Sequence, residues 1–345
     1  MLTKPRRLLP AVALIATAAL LAACTNSTNN PETDPGDGDT GTAVDRSTQF
    51  ITVLTGPASG LYYPVGNAFS EVLGNAGYKT SAQETTGSSE NIQGILGHEG
   101  DIAIAMSDVA VQAYNATEAF ADAVPATQLR SLMGLWPNVC QIITTTQAGI
   151  TSFSDLKGKR VGVGAMGSGV EANARAIFAA NDMSYEDVEV AFLDYGDAVE
   201  AIKVGEMDAA FATSGLGNAT IAALGETASL AFVPVEGEAL ARLTSEFPYY
   251  VQSQIPASAY GTAQDVTTVA VMNVLLAHED LDDAVVTDML ELFYSVDGLT
   301  IIGDSHPTAK ENIKLESGLH GIAGIDLPIH PAAAQFFADK GVTAS

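Results

Sequence analysis

The chain has 345 residues, with 15 Lys or Arg against 41 Asp or Glu and a formal net charge of −26 at pH 7. Acidity on this scale repels nucleic-acid phosphates over the whole surface, which excludes nucleic acid as a partner. It also offers an anionic ligand no long-range attraction, so such a ligand would need local donors. Two cysteines cannot build a disulfide framework.

The first 24 residues, MLTKPRRLLPAVALIATAALLAAC, join a basic start at Lys4, Arg6 and Arg7 to an apolar run too short for a comfortable membrane span. No polar face makes the segment an amphipathic helix. The pattern predicts a secretory signal over 1–23, and Leu21-Ala22-Ala23-Cys24 resembles a bacterial lipobox, which implies lipidation of Cys24 and a membrane-anchored, extracytoplasmic protein in the periplasm or on the cell surface. NAD and ATP are scarce there, and no cofactor is expected. Residues 24–48 are rich in Asn, Thr, Asp, Gly and Pro and nearly free of large apolar side chains. They cannot offset the entropy of ordering and read as a disordered tether. The remaining length exceeds what one core usually holds and predicts two lobes.

From residue 50 short apolar runs alternate with helical patterns. ITVLTG leads to the helix YYPVGNAFSEVLGNAG, with Pro64 in its first turn and Val65, Phe69, Val72 and Leu73 at helical spacing. TSAQETTGSS leads to SENIQGILGHEG, and DIAIAMS to DVAVQAYNA. Cys140 lies in the apolar run VCQII and reads as a small buried filler rather than a nucleophile. The grammar restarts at DLKGKRVGVGAMGSG, followed by VEANARAIFAAND, then by VEVAFLDYG with DAVEAIKVGEM and by DAAFATSG with LGNATIAAL. This is an α/β pattern with a largely parallel sheet.

HEGDIAIAMSD (His98 to Asp108) and GEMDAAFATSG (Gly205 to Gly215) align without gaps and share Glu, Asp, Ala, Ala and Ser. The match predicts two lobes on one plan, with equivalent strand ends facing each other. The segment from Phe247 to His278, punctuated by Pro248, Pro256 and Gly261, reads as a return to the first lobe, and DDAVVTDMLELFYSV and HPAAAQFFADKG would pack back on it. The expected division is 49–140 with 258–345 as lobe I and 141–257 as lobe II, joined by two crossing strands acting as a hinge.

Gly162, Gly164 and Gly167 satisfy G-x-G-x-x-G, the spacing of a dinucleotide fingerprint. Three features weigh against that reading. The glycines open a second lobe, the compartment lacks the cofactor, and Glu186 and Asp187 fall in a polar stretch rather than at a strand end.

TGPASGLYYPVGNA, TTGSSENIQGI, DIAIAMSDVAVQAY, DLKGKRVGVGAMGSGVEANA, MDAAFATSG, IPASAYGTAQDVTTVAV and LPIHPAAAQFF occur in that order. Together they resemble the TAXI-type solute receptors of tripartite ATP-independent periplasmic (TRAP) transporters. Departures are Ala332, where glycine is expected after His-Pro, and Phe336-Phe337, where a tyrosine pair is usual. The resemblance implies a type II periplasmic-binding-protein fold that closes as a monomer on a small carboxylate solute of the glutamate, glutamine or 2-oxoglutarate kind and hands it to membrane permease subunits.

In such a fold ligands sit beyond the carboxyl ends of strands, where helices begin. Ser168 and Gly169 would start a helix whose free N–H groups and Ser168 hydroxyl donate to a carboxylate. No arginine sits at a strand-to-helix junction, so the site is expected to use amides. Gly60, Tyr62 and Tyr63 stand at the mouth of the first lobe, one tyrosine touching ligand and the other packing under the helix. Ser88, Ser89 and Asn91 read as an N-cap cluster with ligand contact as a second role. Ser107 with Asp108, and Thr213 with Ser214, would face each other across the cleft; Asp108 either accepts from a ligand ammonium group or caps a helix. Gln141, beside the first crossover, is a further candidate. An importer driven by ATP and a secreted hydrolase using Ser168 are the alternative settings, but Gly167-Ser168-Gly169 lacks the G-x-S-x-G register. His98, His278, His306, His320 and His330 show no metal-binding spacing, so no metal is expected, and His306 and His330, beside prolines, read as structural.

Overall fold

The structure, a computed structural model, describes residues 44–247 and 249–343. The expected signal peptide, the lipidation site at Cys24 and most of the expected tether lie outside the described residues. The end of that tether is built into the fold. Asp45 caps a 3-10 turn at Arg46–Thr48, and the Arg46 guanidinium grips Asp288 through two bonds of 2.8 and 2.7 Å.

The strands are β1 Phe50–Leu54, β2 Lys79–Gln83, β3 Ile102–Met106, β4 Leu129–Thr145, β5 Arg160–Gly162, β6 Glu189–Ala191, β7 Ala209–Ser214, β8 Leu230–Val233, β9 Val251–Ile255 and β10 Val266–His278. The helices are α1 Tyr62–Asn75, α2 Ser88–Leu96, α3 Ser107–Asn115, α4 Gly169–Ala180, α5 Tyr195–Lys203, α6 Ala219–Gly225 and α7 Gly237–Glu246. They continue with α8 Ala257–Tyr260, α9 Asp283–Phe293, α10 Val296–Ser305, α11 Pro307–Asn312, α12 Leu315–His320 and α13 Pro331–Asp339. Every strand-to-helix pair expected from the apolar spacing is present, and α13 packs on α9, which packs on α1.

The sheet runs β2-β1-β3-β10-β4-β7-β5-β6, with β9 beside β10 and β8 beside β4. Its two ends are parallel blocks on one plan, β2-β1-β3 and β7-β5-β6. Everything between is antiparallel, so the expectation of a largely parallel sheet is corrected. Apolar runs buried on both faces read alike in either direction, and only the long strands β4 and β10 reveal the change.

The matched motifs occupy equivalent posts. Asp101, entering β3, accepts from Thr52 N at 2.7 Å while its own N–H returns to Thr52 O at 3.0 Å. Asp208, entering β7, accepts from Arg160 N at 2.9 Å and donates back to Arg160 O at 3.0 Å. In each block the aspartate pins an inner strand to its parallel neighbour, satisfying backbone groups at the strand start.

β10 pairs with β9 up to Ala270 and with β3 from Asn273, while β4 passes from β10 to β7 at Val139. β4 therefore passes from the first block to the second with β10 alongside it up to Val139; position 258 lies within α8, before β10 begins. The β4–β10 ladder slips between Met272 and Val274. Asn273 fills the break: its Nδ2 donates to Trp136 O at 3.0 Å and its Oδ1 accepts from the Tyr62 hydroxyl at 2.5 Å. Buried Val53, Ile104, Phe69 and Trp136 share one core cluster, and Ile143, Val199, Ala212 and Ile221 belong to a second.

Candidate functional site

The segments that follow β2 and β5 deliver two helix starts, those of α2 and α4, to the same place. β5 ends at Gly162, and Gly164 and Gly167 take φ values of 92° and 74°, a turn that side chains resist and glycine permits. Ser168 then caps α4, its Oγ accepting from Glu171 N at 3.2 Å. Opposite, α2 begins after Gly87, whose φ is 118°. The two tips touch: a Cβ added to Gly169 would lie 2.8 Å from Ser88 Oγ and 2.5 Å from Met106 Cε, and one added to Gly87 would lie 3.9 Å from Ser168 Cβ.

The cleft around these tips is lined among others by Gly60, Tyr62, Gly87, Ser88, Ser168 and Gly169, together with Met106, Asp194 and Tyr195. Its free space is about 20 Å³, room for about one water. The arrangement is closed. At Ser168 and Ser89 it meets an open groove of about 1020 Å³ between α2, α3, α4 and α7.

Helix N-termini carry free N–H groups and partial positive charge, and what surrounds them decides what they can hold. α5 is neutralised by Asp194, whose carboxylate accepts from Gly196 N and Asp197 N. α2 has no side-chain cap and α4 has only a neutral hydroxyl. The acidic residues of their first turns leave the first N–H groups free: Glu90 folds back to accept from Thr86 N, just ahead of α2, at 2.7 Å, and Glu171 pairs with Arg175 at 2.5 Å. All five arginines among the described residues are in ion pairs, with Asp288, Glu279, Asp208, Glu171 and Asp182, and none lines the cleft.

Behind the tips a buried polar cluster joins α3 to α4. Asn173 Nδ2 donates to Asp108 Oδ2 at 2.5 Å and to the Tyr250 hydroxyl oxygen at 2.9 Å. Burial pushes the Asp108 carboxyl up to about 6, with hydrogen bonds from Val109 N, Tyr250 and Asn173 opposing the rise. Asp108 Oδ1 and Asn173 Oδ1, one on each of the two bonded side chains, are buried without a partner, a pair of acceptors that a donor-bearing guest would satisfy.

A family description, NMT1-like, matches residues 53–341, well over half of the chain. The protein belongs to the NMT1-like family. Solved structures that it resembles include a protein from Bordetella bronchiseptica RB50, at 16% identity over 76% of this chain and 77% of that one, with a TM-score of 0.48. The alkanesulfonate-binding protein SsuA from Xanthomonas axonopodis pv. citri, bound to MOPS, matches at 12% identity over 84% and 83%, with a TM-score of 0.44. An ancestral arginine-binding protein bound to arginine matches at 15% over 75% and 98%, with a TM-score of 0.46. At this level of overlap these likenesses identify no ligand for the NMT1-like chain.

Of the residues singled out in the sequence, Gly60, Tyr62, Ser88, Ser168 and Gly169 meet at the cleft, and Ser89 lies on the adjoining groove. Tyr63 is off the cleft, partly buried on α1. The capping role expected of Ser88 and Asn91 is corrected. Gly87 takes the N-cap position, which frees the Ser88 hydroxyl to accept from Met106 N at 3.0 Å. Asn91 donates to Thr55 O and Ile104 O, bracing β1 against β3. Asp108 is not a cap either, since α3 is preceded by Met106 and has no side-chain cap.

Thr213 and Ser214 at the end of β7, Ser107 at the start of α3 and Gln141 within β4 are buried and off the cleft lining, so the expected contact across the cleft is corrected. Thr213 Oγ1 donates to Cys140 Sγ at 3.7 Å, and Ser214 Oγ to Gly215 O at 3.2 Å. The Gln141 amide donates to Ser214 O at 3.2 Å. Burial pushes the Cys140 thiol up to about 12, which makes it the inert filler expected.

Sequence reasoning missed Asp194, Tyr195 and Asn173. The first two stand at the strand-to-helix junction after VEVAF, the same kind of junction that pointed to Ser168. Asn173 lies one helical turn inside α4, where no local signal marks it.

The fingerprint glycines make the turn a nucleotide site needs, but its acidic partner is spent: Asp187 accepts from Ser184 N at 3.0 Å and pairs with Lys157 at 3.0 Å. Among the described residues no histidine bonds to Ser168, whose Oγ accepts from Glu171 N. His306 and His330 cap α11 and α13, accepting from Thr308 N and Ala332 N, which is the structural role expected of them.

Proposed function

We propose that this NMT1-like protein is an extracytoplasmic solute receptor that closes α2 and α4 around a small carboxylate-bearing molecule. One observation carries the reading: two helix N-termini, at Ser88 and Gly169, meet tip to tip with no side-chain carboxylate bonded to their first N–H groups, the Asp194 carboxylate that also lines the cleft being held by the start of α5. Two partial positive ends in a buried cleft repel, and an anion between them turns that repulsion into attraction on both sides. The partial charge of each terminus resides on its free N–H groups, so the gain is counted once, as two N–H bonds at each tip of about 1.5–3 kcal/mol to a charged acceptor. Together these reach the roughly 8 kcal/mol of micromolar binding.

With free space for one water, the cleft must open to admit a solute. The β4–β10 crossing supplies the hinge, with its ladder slip beside Asn273 as the pivot, and residues 49–140 and 141–257 supply the bulk of the two moving lobes. Solute binding shifts the population toward the closed form. In the TAXI setting that form docks on TRAP permease subunits, with the receptor tethered as a monomer through lipidated Cys24. Among the expected ligands, the unpaired Asp108 Oδ1 and Asn173 Oδ1 favour one carrying an amino group, glutamate or glutamine over 2-oxoglutarate.

A thermal-shift panel of glutamate, glutamine, 2-oxoglutarate and uncharged sugars tests the proposal. A solute at 100 times its dissociation constant adds about 2.7 kcal/mol of stability. The reading requires a rise with at least one carboxylate and none with sugars; a panel in which no carboxylate raises the melting temperature rejects it.

A further inference from the structure

The face of the first block opposite the cleft carries a second constellation that the solute-receptor reading does not use. β10 runs antiparallel to β3 with Ala277 opposite Ile102, so His278, at the end of β10, lies beside the start of β3 and far from the strand ends that form the cleft. His98 reaches the same point from the turn after α2. Its backbone is held in the left-handed region at φ 54°, a conformation that histidine tolerates better than most residues. Asp280 follows from the turn after β10.

The three side chains converge. His278 Nδ1 lies 2.5 Å from Asp280 Oδ1, His98 Nε2 lies 3.9 Å from Asp280 Oδ2, and the two imidazole rings stand 4.5 Å apart. One donor atom from each residue falls within 4.8 Å of the others. Closing the turn after β10 requires only the His278–Asp280 contact, and His98, 180 positions away, has no part in that turn. No lysine or arginine among the described residues pairs with Asp280, so its carboxylate is left to the two imidazoles.

We propose that His98, His278 and Asp280 form a binding site for a divalent transition metal of the zinc class. Two imidazoles and one carboxylate suit zinc, nickel or copper rather than magnesium or calcium, which prefer all-oxygen shells. Metal–ligand bonds of about 2.0–2.2 Å set donor atoms roughly 3.3 Å apart in a tetrahedral shell. His98 and Asp280 need shift by only about an ångström to reach that spacing, and both side chains are 61% exposed and free to do so. Three protein donors leave at least one position for water or for a donor from another molecule. The bound metal would clamp the turn after α2 to the end of β10.

The test is a zinc titration of the full chain, with cobalt(II) absorbance reporting tetrahedral coordination and thermal melting reporting stability. The expected result is saturation at one zinc per chain with a raised melting temperature, no comparable effect of magnesium, and affinity weakened about tenfold or more by His98→Asn and by Asp280→Asn. Asparagine keeps the left-handed turn at position 98, so both variants should melt like the parent without metal. If His278→Gln fails to fold, these two variants decide. Absence of saturable binding, an equal response to magnesium, or zinc affinity unchanged in His98→Asn would overturn the site.

Discussion

Asn173 on α4 donates to Asp108 on α3 at 2.5 Å, and this bond ties the helix that follows β3 to the helix that follows β5. Its acceptor is a fully buried carboxyl that burial pushes up to about 6 from its ordinary 3.8. The folded chain therefore holds the Asp108 proton more tightly than the unfolded chain. The resulting stability is fully present below about pH 4 and is lost as pH rises through about 6. Asp108→Asn removes the ionisable group while keeping an acceptor for Asn173. It should raise stability at pH 8 by on the order of 2–3 kcal/mol relative to its effect at pH 4. Urea melts of parent and variant at both pH values measure the difference.

Asn173→Ala leaves the carboxyl with Val109 N and the Tyr250 hydroxyl and removes the direct bond between the two helices. The expected cost is about 1–3 kcal/mol at neutral pH, the penalty for a buried acceptor stripped of a donor. The same variant should raise the Asp108 pKa further, and carboxyl NMR titration would show it.

Gly169 sets how closely the two helix tips approach. A methyl group there meets the end of the flexible Met106 side chain at 2.5 Å but also Ser88 Oγ at 2.8 Å, and Ser88 is held by its bond to Met106 N. Gly169→Ala should fold, at a cost of about 1–3 kcal/mol from overpacking the joined tips. Its solute affinity should fall at least tenfold, because the tips can no longer close on a carboxylate. Calorimetric titration checks this; an unaltered dissociation constant would place the solute elsewhere.

The Arg46–Asp288 pair fastens the start of the folded chain to α9. Burial raises the Asp288 carboxyl, but hydrogen bonds from Arg46 and Tyr78 and the Arg46 charge outweigh it and hold the group below its usual value. The pair's stability is present above the ordinary carboxylate range and lost as pH falls through the depressed value. Arg46→Ala should cost about 1 kcal/mol at pH 7, given partial exposure of both groups, and almost nothing at pH 2. Denaturant midpoints at the two pH values decide.

Much of this architecture is legible in the sequence because it is local. Apolar spacing in YYPVGNAFSEVLG and VEANARAIF marks α1 and α4, and the motif shared by HEGDIAIAMSD and GEMDAAFATSG foretells that Asp101 and Asp208 do the same work in two blocks. Ser168 is legible as the start of α4 because that start is marked by its own neighbours, although its hydroxyl accepts from Glu171 N rather than standing free as a donor. What stayed hidden depends on contacts between distant segments. Nothing near Ser88 tells that its hydroxyl will serve Met106 N, or that Gly87 will take the cap. Asn173 shows its partner only once α3 and α4 meet. His98 and His278 have no spacing to read, since the sheet rather than a helix brings them together.

The most direct test of the receptor account is a crystal structure of the mature protein grown with glutamate. The account predicts the solute carboxylate between the two helix tips, within hydrogen-bond distance of the backbone N–H groups of Ser88 or Ser89 on one side and Gly169 or Val170 on the other, with its amino group toward Asp108. Glutamate bound to an arginine outside the cleft, with only water between Ser88 and Gly169, would contradict it.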